Sequence, residues 1–268
     1  MDFYITLEKI ISCDNIPQKF KIFNDLNQNL NNLDFKSEQK TKIFQKASYE
    51  NFCEVVPPSK VPRRRGFDTP EKQAVILHAI AHIEYSAIDL ALDACYRFRN
   101  LEKEFYFDWM EVAEDEIRHF NLINNLLEKT GFKYGDFPVH NSLFEASVKT
   151  QDLLSRMAVI PRWYEANGLD ANEKIIAKLQ KQNNSFAKEL IEVLNIILKE
   201  EIPHVKKGDK WFKFECKRQN LDPVKTYFQI IDNFFKDWKK KDLNTKARLK
   251  AGFSCREINI LSKEKIEC

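Results

Sequence analysis

The sequence predicts an all-α fold centred on a four-helix bundle with additional N-terminal and C-terminal helices, and three observations carry that prediction. Only 6 glycines and 9 prolines occur in 268 residues, and long stretches consist of Leu, Ile, Ala, Glu and Lys, all good helix formers. Apolar residues recur three and four positions apart, the period of a helix with one buried face. Strand-like alternation does not persist anywhere along the chain.

Residues 1–56 read as a segment of short helices, with apolar positions at Ile5, Leu7, Ile10 and Ile11 and again at Phe20, Ile22, Phe23 and Leu26. Residues 57–69 form a Pro/Arg-rich linker. At Asp68-Thr69-Pro70-Glu71 a helix starts, with capping oxygens followed by a proline in the first turn, where its missing N–H removes nothing. No breaker follows until about Asn100, so the first bundle helix spans roughly 30 residues, about 45 Å. A short polar break leads into a second, antiparallel helix ending at Thr130-Gly131 with a glycine cap. Residues 131–141 are expected to be non-helical. Ser142 with Glu145 reads as a capping box opening a third helix that ends at Asn167-Gly168. A short helix near residues 172–181 is followed by a fourth long one, from Asn184-Ser185 past His204. Residues 70–215 thus make the bundle. Residues 216–268, with a helix opening at Asp222-Pro223, make a C-terminal helical extension packed on it.

Composition narrows the function classes. A 43% hydrophobic and 31% charged chain is an ordinary globular protein. The net charge of +3 is too mild to argue for nucleic acid. Arg63-Arg64-Arg65 reads as a solvated basic loop ahead of a phosphate-binding patch. Six scattered cysteines (Cys13, Cys53, Cys95, Cys216, Cys255, Cys268), with no CxxC pair, are expected to be reduced thiols of a cytoplasmic protein. Asp2, Glu8 and Lys9 argue against a secretory signal. Val75–Ala94 has membrane length but carries His78, His82, Glu84, Asp89 and Asp93, which lipid would leave unsatisfied, so no membrane contact is expected.

The chemistry lies in acids placed inside apolar stripes, where a carboxylate is costly unless something pairs with it. Glu84 shares a helical face with Leu77, Ala81, Ile88, Ala91 and Cys95. Glu116 sits in the stripe of Trp109, Val112, Ala113 and Ile123, with His119 one turn on. Glu165 follows Met157, Ala158 and Pro161, and Glu201 and His204 lie on the face of Leu194, Ile197, Leu198 and Val205. A bare Glu-x-x-His is weak. Here the unit is Glu, then 32 residues to Glu-x-x-His, then Glu, then 36 residues to Glu-x-x-His. One helical-hairpin pattern used twice delivers four carboxylates and two imidazoles to one point, the dimetal arrangement of ferritin-like bundles. This hard oxygen and nitrogen set suits two iron ions first, with manganese or a mixed Fe/Mn pair as alternatives. The competing reading is a bundle with buried Glu–His or Glu–Arg pairs and no metal. Arg118 and Arg162 are candidates to orient ligand carboxylates, and Tyr85 and Tyr164 adjoin the ligands. His78 and His82 are read as packing or hydrogen-bonding residues, because His82 faces about 160° from Glu84 on the helix.

The runs HAIAHIEYSAIDLALDACYRF, DWMEVAEDEIRHF, YGDFPVH, RMAVIPRWYEANGLD and HVKKGDKWF resemble a bacterial family of unknown function classed as ferritin-like. The linker VVPPSKVPRRRGF and the C-terminal LDPV and ARLKAGFS extend the likeness over nearly the whole chain. That family is distantly similar to the tRNA-modifying diiron hydroxylase. The resemblance implies metal positions at Glu84, Glu116, His119, Glu165, Glu201 and His204. One departure is Pro203, where the family pattern has a small residue. In a helix interior it removes one hydrogen bond and kinks the axis, leaving Glu200 as an alternative to Glu201. The resulting expectation is an oxygen-dependent oxidoreductase or hydroxylase using dioxygen and an unidentified small-molecule substrate. A tRNA substrate is weakly supported by Arg63–Arg65, and a homodimer is compatible with the added termini. The alternative is a non-catalytic metal-binding or iron-handling helical protein.

Overall fold

The computed structural model describes residues 1–182 and 184–268, and among these the chain is helical, with two isolated β-bridges and no strand. It divides into two compact units, residues 1–149 and 150–268.

In the first unit, α1 (Phe3–Ser12) and α2 (Ile16–Gln28) are capped by Asp2 and Asn15, whose side chains accept the backbone N–H groups of Ile5 and Gln18. Two long helices form its centre, α3 (Pro70–Arg97) and α4 (Lys103–Lys129), packed against each other. Thr69 caps α3 and Pro70 occupies its first position, as the sequence requires. The α3–α4 turn puts Asn100 at φ 59°, a left-handed conformation that asparagine tolerates better than most residues. α3 is long and apolar enough to cross a membrane, yet 78% of its most apolar window is buried inside the fold, which marks a core helix. A buried ion pair ties α2 to α3. Lys19 Nζ lies 2.5 Å from Asp89 and 3.0 Å from Ser48 Oγ, which also meets the Tyr85 hydroxyl at 3.0 Å. The loop after α4 turns at Gly131 and Gly135, both at positive φ. Its return segment pairs with the end of the N-terminal segment, just before the linker, through a Val55–Val139 bridge. Then α5 (Ser142–Lys149) closes the unit.

The expected third helix is not continuous. α5 begins at Ser142 itself rather than after it and stops at Lys149. The chain re-enters a helix only after Asp152, which caps α6 (Leu153–Val159) through the Ser155 N–H at 2.8 Å. A π-helical turn follows (Ile160–Glu165), then α7 (Ala166–Leu179), which absorbs the short helix expected near 172–181. Pro161 lacks the N–H that a regular α turn would use, and the wider turn accommodates that. α8 (Ser185–Arg218) packs on α6, the π turn and α7. It runs unbroken through Pro203, with Glu201 and His204 both buried on either side of it. Pro203 is exposed to solvent. α9 (Pro223–Phe234), α10 (Thr245–Lys250) and α11 (Cys255–Leu261) complete the second unit. The expectation of six reduced thiols fails at one pair: Cys255 and Cys268 are joined by a disulfide.

Candidate metal centre

Two mid-helix positions, one from α3 and one from α4, put acids into the core of the first unit. Glu84 is 5% exposed, Glu116 and His119 are fully buried, and each offers a ligand atom within 4.8 Å of the others. His119 Nδ1 lies 3.4 Å from Glu84 Oε2 and 3.4 Å from Glu116 Oε2. Burial pushes the Glu84 carboxyl up to about 7, against the pull of His119 and reinforced by the neighbouring Glu116 charge. For His119, burial alone lowers basicity, but hydrogen bonding and charge from Glu116 and Glu84 reverse this and lift it to about 12. The two acids thus favour positive charge at the His119 nitrogen between them. A bound divalent cation supplies that same countercharge with ligand lone pairs left to use, and the oxygen/nitrogen donor set fits iron or manganese.

In the second unit, α8 brings Glu201 and His204 to one buried face, with His204 Nδ1 3.8 Å from Glu201 Oε2. Glu200 is only half-buried, so Glu201 is the acid on the imidazole's side. Glu165 closes the π turn; it is half-buried and its Oε2 is inaccessible to solvent. A turn of this kind commonly re-aims a side chain at a functional site.

The four residues expected to flank the ligands have mixed positions. Arg118 is 43% exposed in its side chain and pairs with Asp115. Arg162 is fully buried but turns into its own unit: Nε lies 3.1 Å from Asp209, Nη2 lies 2.5 Å from Glu257, and the rings of Phe212, Tyr227 and Phe253 enclose the guanidinium. Tyr85 donates or accepts at Ser48 and packs edge-on to Phe120 and Phe52. Tyr164 is half-buried against Phe235. The sequence reading missed Asp209 and Glu257 as partners of Arg162, since both lie far along the chain and no short motif links them.

His78 and His82 take hydrogen-bonding roles, as their distance from the Glu84 face suggests. His82 Nε2 reaches the His140 carbonyl at 3.0 Å and Nδ1 the Tyr134 hydroxyl at 2.9 Å. Burial holds both imidazoles neutral, down to about 4.

A family profile described as a protein of unknown function (DUF455) matches residues 12–259. An uncharacterised protein of Haemophilus influenzae is 37% identical over 280 aligned positions, covering 96% of this chain and 92% of that protein. No solved structure matches the chain.

Proposed function

Since the chain belongs to the DUF455 family, whose function is unknown, we propose from the residues themselves that it is a ferritin-like dimetal protein acting as an oxygen-dependent oxidoreductase. Glu84, Glu116 and His119 from the first unit and Glu165, Glu201 and His204 from the second would hold two metal ions, iron first and manganese as the alternative. The observation that carries this reading is the buried cluster of two carboxylates and an imidazole on α3 and α4, within 4.8 Å of one another. A solvated or merely structural role does not require three buried titratable groups on one spot, because each one pays desolvation. The same Glu-x-x-His pattern recurs in the second unit, with Glu201 and His204 again buried on one face, which supports a second metal-binding half-motif.

When bound, the metal pair supplies the redox chemistry with dioxygen, with an external electron donor as co-reactant. The chain's own contribution is orientation and a low-dielectric surround. Leu77, Ala81, Ile88, Val112 and Ala113, all buried, exclude water around the ligands of the first half. The substrate is an unidentified small molecule, and the setting is proposed to be cytoplasmic.

Elemental analysis of protein purified without chelators tests this reading. Wild type should carry near two equivalents of iron or manganese, and Glu116→Ala should lose most of it. A metal-free wild type that also fails to take up iron anaerobically would sink the proposal. Oxygen consumption by the iron-loaded protein separates an oxidoreductase from an iron-handling protein.

A further inference from the structure

We infer that the first unit also binds a phosphate group, in a cavity that α3 forms with residues 61–64 and 137–140, independently of the metal reading. The cavity holds about 60 Å³, and its polar lining is Arg64, His78, His82 and His140, with no acidic side chain.

The hydrogen bonds around it fix which nitrogens carry protons. His78 Nε2 accepts the Gly135 N–H at 2.9 Å, so the proton of this neutral ring sits on Nδ1. No described residue accepts it, although His78 is only 2% exposed. His140 Nδ1 accepts the Ser142 N–H at 3.3 Å, which places its proton on Nε2, and the only acceptor near the ring among the described residues is its own backbone carbonyl. His82 has both nitrogens engaged. Its Nε2–H donates to the His140 carbonyl at 3.0 Å, which pins the segment carrying His140 against α3. The lining therefore presents two imidazole N–H donors and one guanidinium, with no acidic side chain to accept from them.

Three donors, one permanently charged, without a carboxylate among them, complement an oxyanion. The Arg64 charge is close enough to His140 to depress its basicity, after burial, so both address the same space. Phosphate fits better than a carboxylate because its oxygens lie on several sides of one centre, and the donors come from the linker, α3 and the returning loop. The cavity is small and open on the side of the linker, where Arg64 is exposed together with Arg63 and Arg65, so the rest of any organic ligand stays outside. Asp136, whose charge also reaches His78, accepts the Lys133 N–H and does not line the cavity. Glu84 lies two residues beyond His82, about 200° around the helix, so the two sites occupy different faces of α3.

Titration of the full chain with inorganic phosphate, followed by 31P NMR and calorimetry, tests the site, with a nucleoside 5′-monophosphate as the second probe. Saturable one-to-one binding is expected, weakened about tenfold or more in Arg64→Ala and in His140→Ala, since each removes a charge-assisted or directed hydrogen bond. Equal affinity for the two probes assigns free phosphate, and tighter nucleotide binding assigns a phosphomonoester; either supports the site. Absence of saturable binding to both probes overturns it. So does equal weakening by Arg63→Ala plus Arg65→Ala, which would mean a diffuse basic surface.

Discussion

Gly208 of α8 lies so close to Pro161 of the π-helical turn that a Cβ built on the glycine would stand 2.2 Å from the proline Cβ. This contact sets how near the segment carrying Glu165 comes to the helix carrying Glu201 and His204. Only a residue without a side chain permits it.

Gly208→Ala should therefore destabilise the protein by about 1–3 kcal/mol, the usual range for overpacking, despite the higher helix propensity of alanine. Urea unfolding measures this. An alanine variant as stable as wild type would mean that the contact is looser than described.

Arg162 pairs with two buried acids, of which Asp209 also pairs with Lys213, so removing the guanidinium leaves Glu257 above all buried without its cation. Arg162→Leu should cost about 3–5 kcal/mol. Adding Asp209→Asn and Glu257→Gln should recover part of the loss, because the stranded charges go with them. The comparison of melting temperatures in the single and triple variants is decisive: no recovery would show that Arg162 acts through packing alone.

The Cys255–Cys268 disulfide closes a loop of 13 residues. In the chain-entropy account a loop of that size contributes about 2–3 kcal/mol. Cys255→Ser is expected to lower stability by this order, and dithiothreitol should produce the same decrease in wild type and none in the variant. Mass spectrometry of the alkylated protein reports the thiol count directly.

His78 is held neutral in the fold, with its basicity lowered by burial from 6.5 to about 4. The unfolded chain binds the proton more readily, so the stability from this group is complete above pH 6.5. It is lost as pH falls through the window from 6.5 to about 4, by roughly 1–3 kcal/mol. Denaturant melts at pH 7 and pH 4.5 should show a smaller difference for His78→Gln than for wild type. His82 and His140, also depressed, contribute to the slope that remains.

Within the metal reading, His119→Ala and His204→Ala should each lower the metal content, and the double variant should abolish it. Elemental analysis checks this, and full occupancy in either single variant would contradict that histidine's assignment.

Much of this was legible before any coordinates. Apolar periodicity and local capping fixed α3 and α4 to within a few residues, because Thr69 and Pro70 act within one turn. The same periodicity put Glu84, Glu116, His119, Glu201 and His204 on buried faces, since a carboxylate in an apolar stripe faces inward wherever the helix packs. It did not reveal that the third helix breaks at residues 150–152 or that Pro161 sits in a π turn. Those outcomes depend on Asp152 and Thr150 competing for backbone and Arg156, and on Gly208 making room.

The sequence by itself determined the helical class, the two long core helices and the identity of the acids and imidazoles, because helix period and capping are local. Only the tertiary structure decided that α8 continues through Pro203, that Arg162 serves Asp209 and Glu257, that Cys255 finds Cys268, and which imidazole nitrogens face the cavity beside Arg64. Each of these depends on a partner distant in the chain, and no local pattern specifies which distant residues meet.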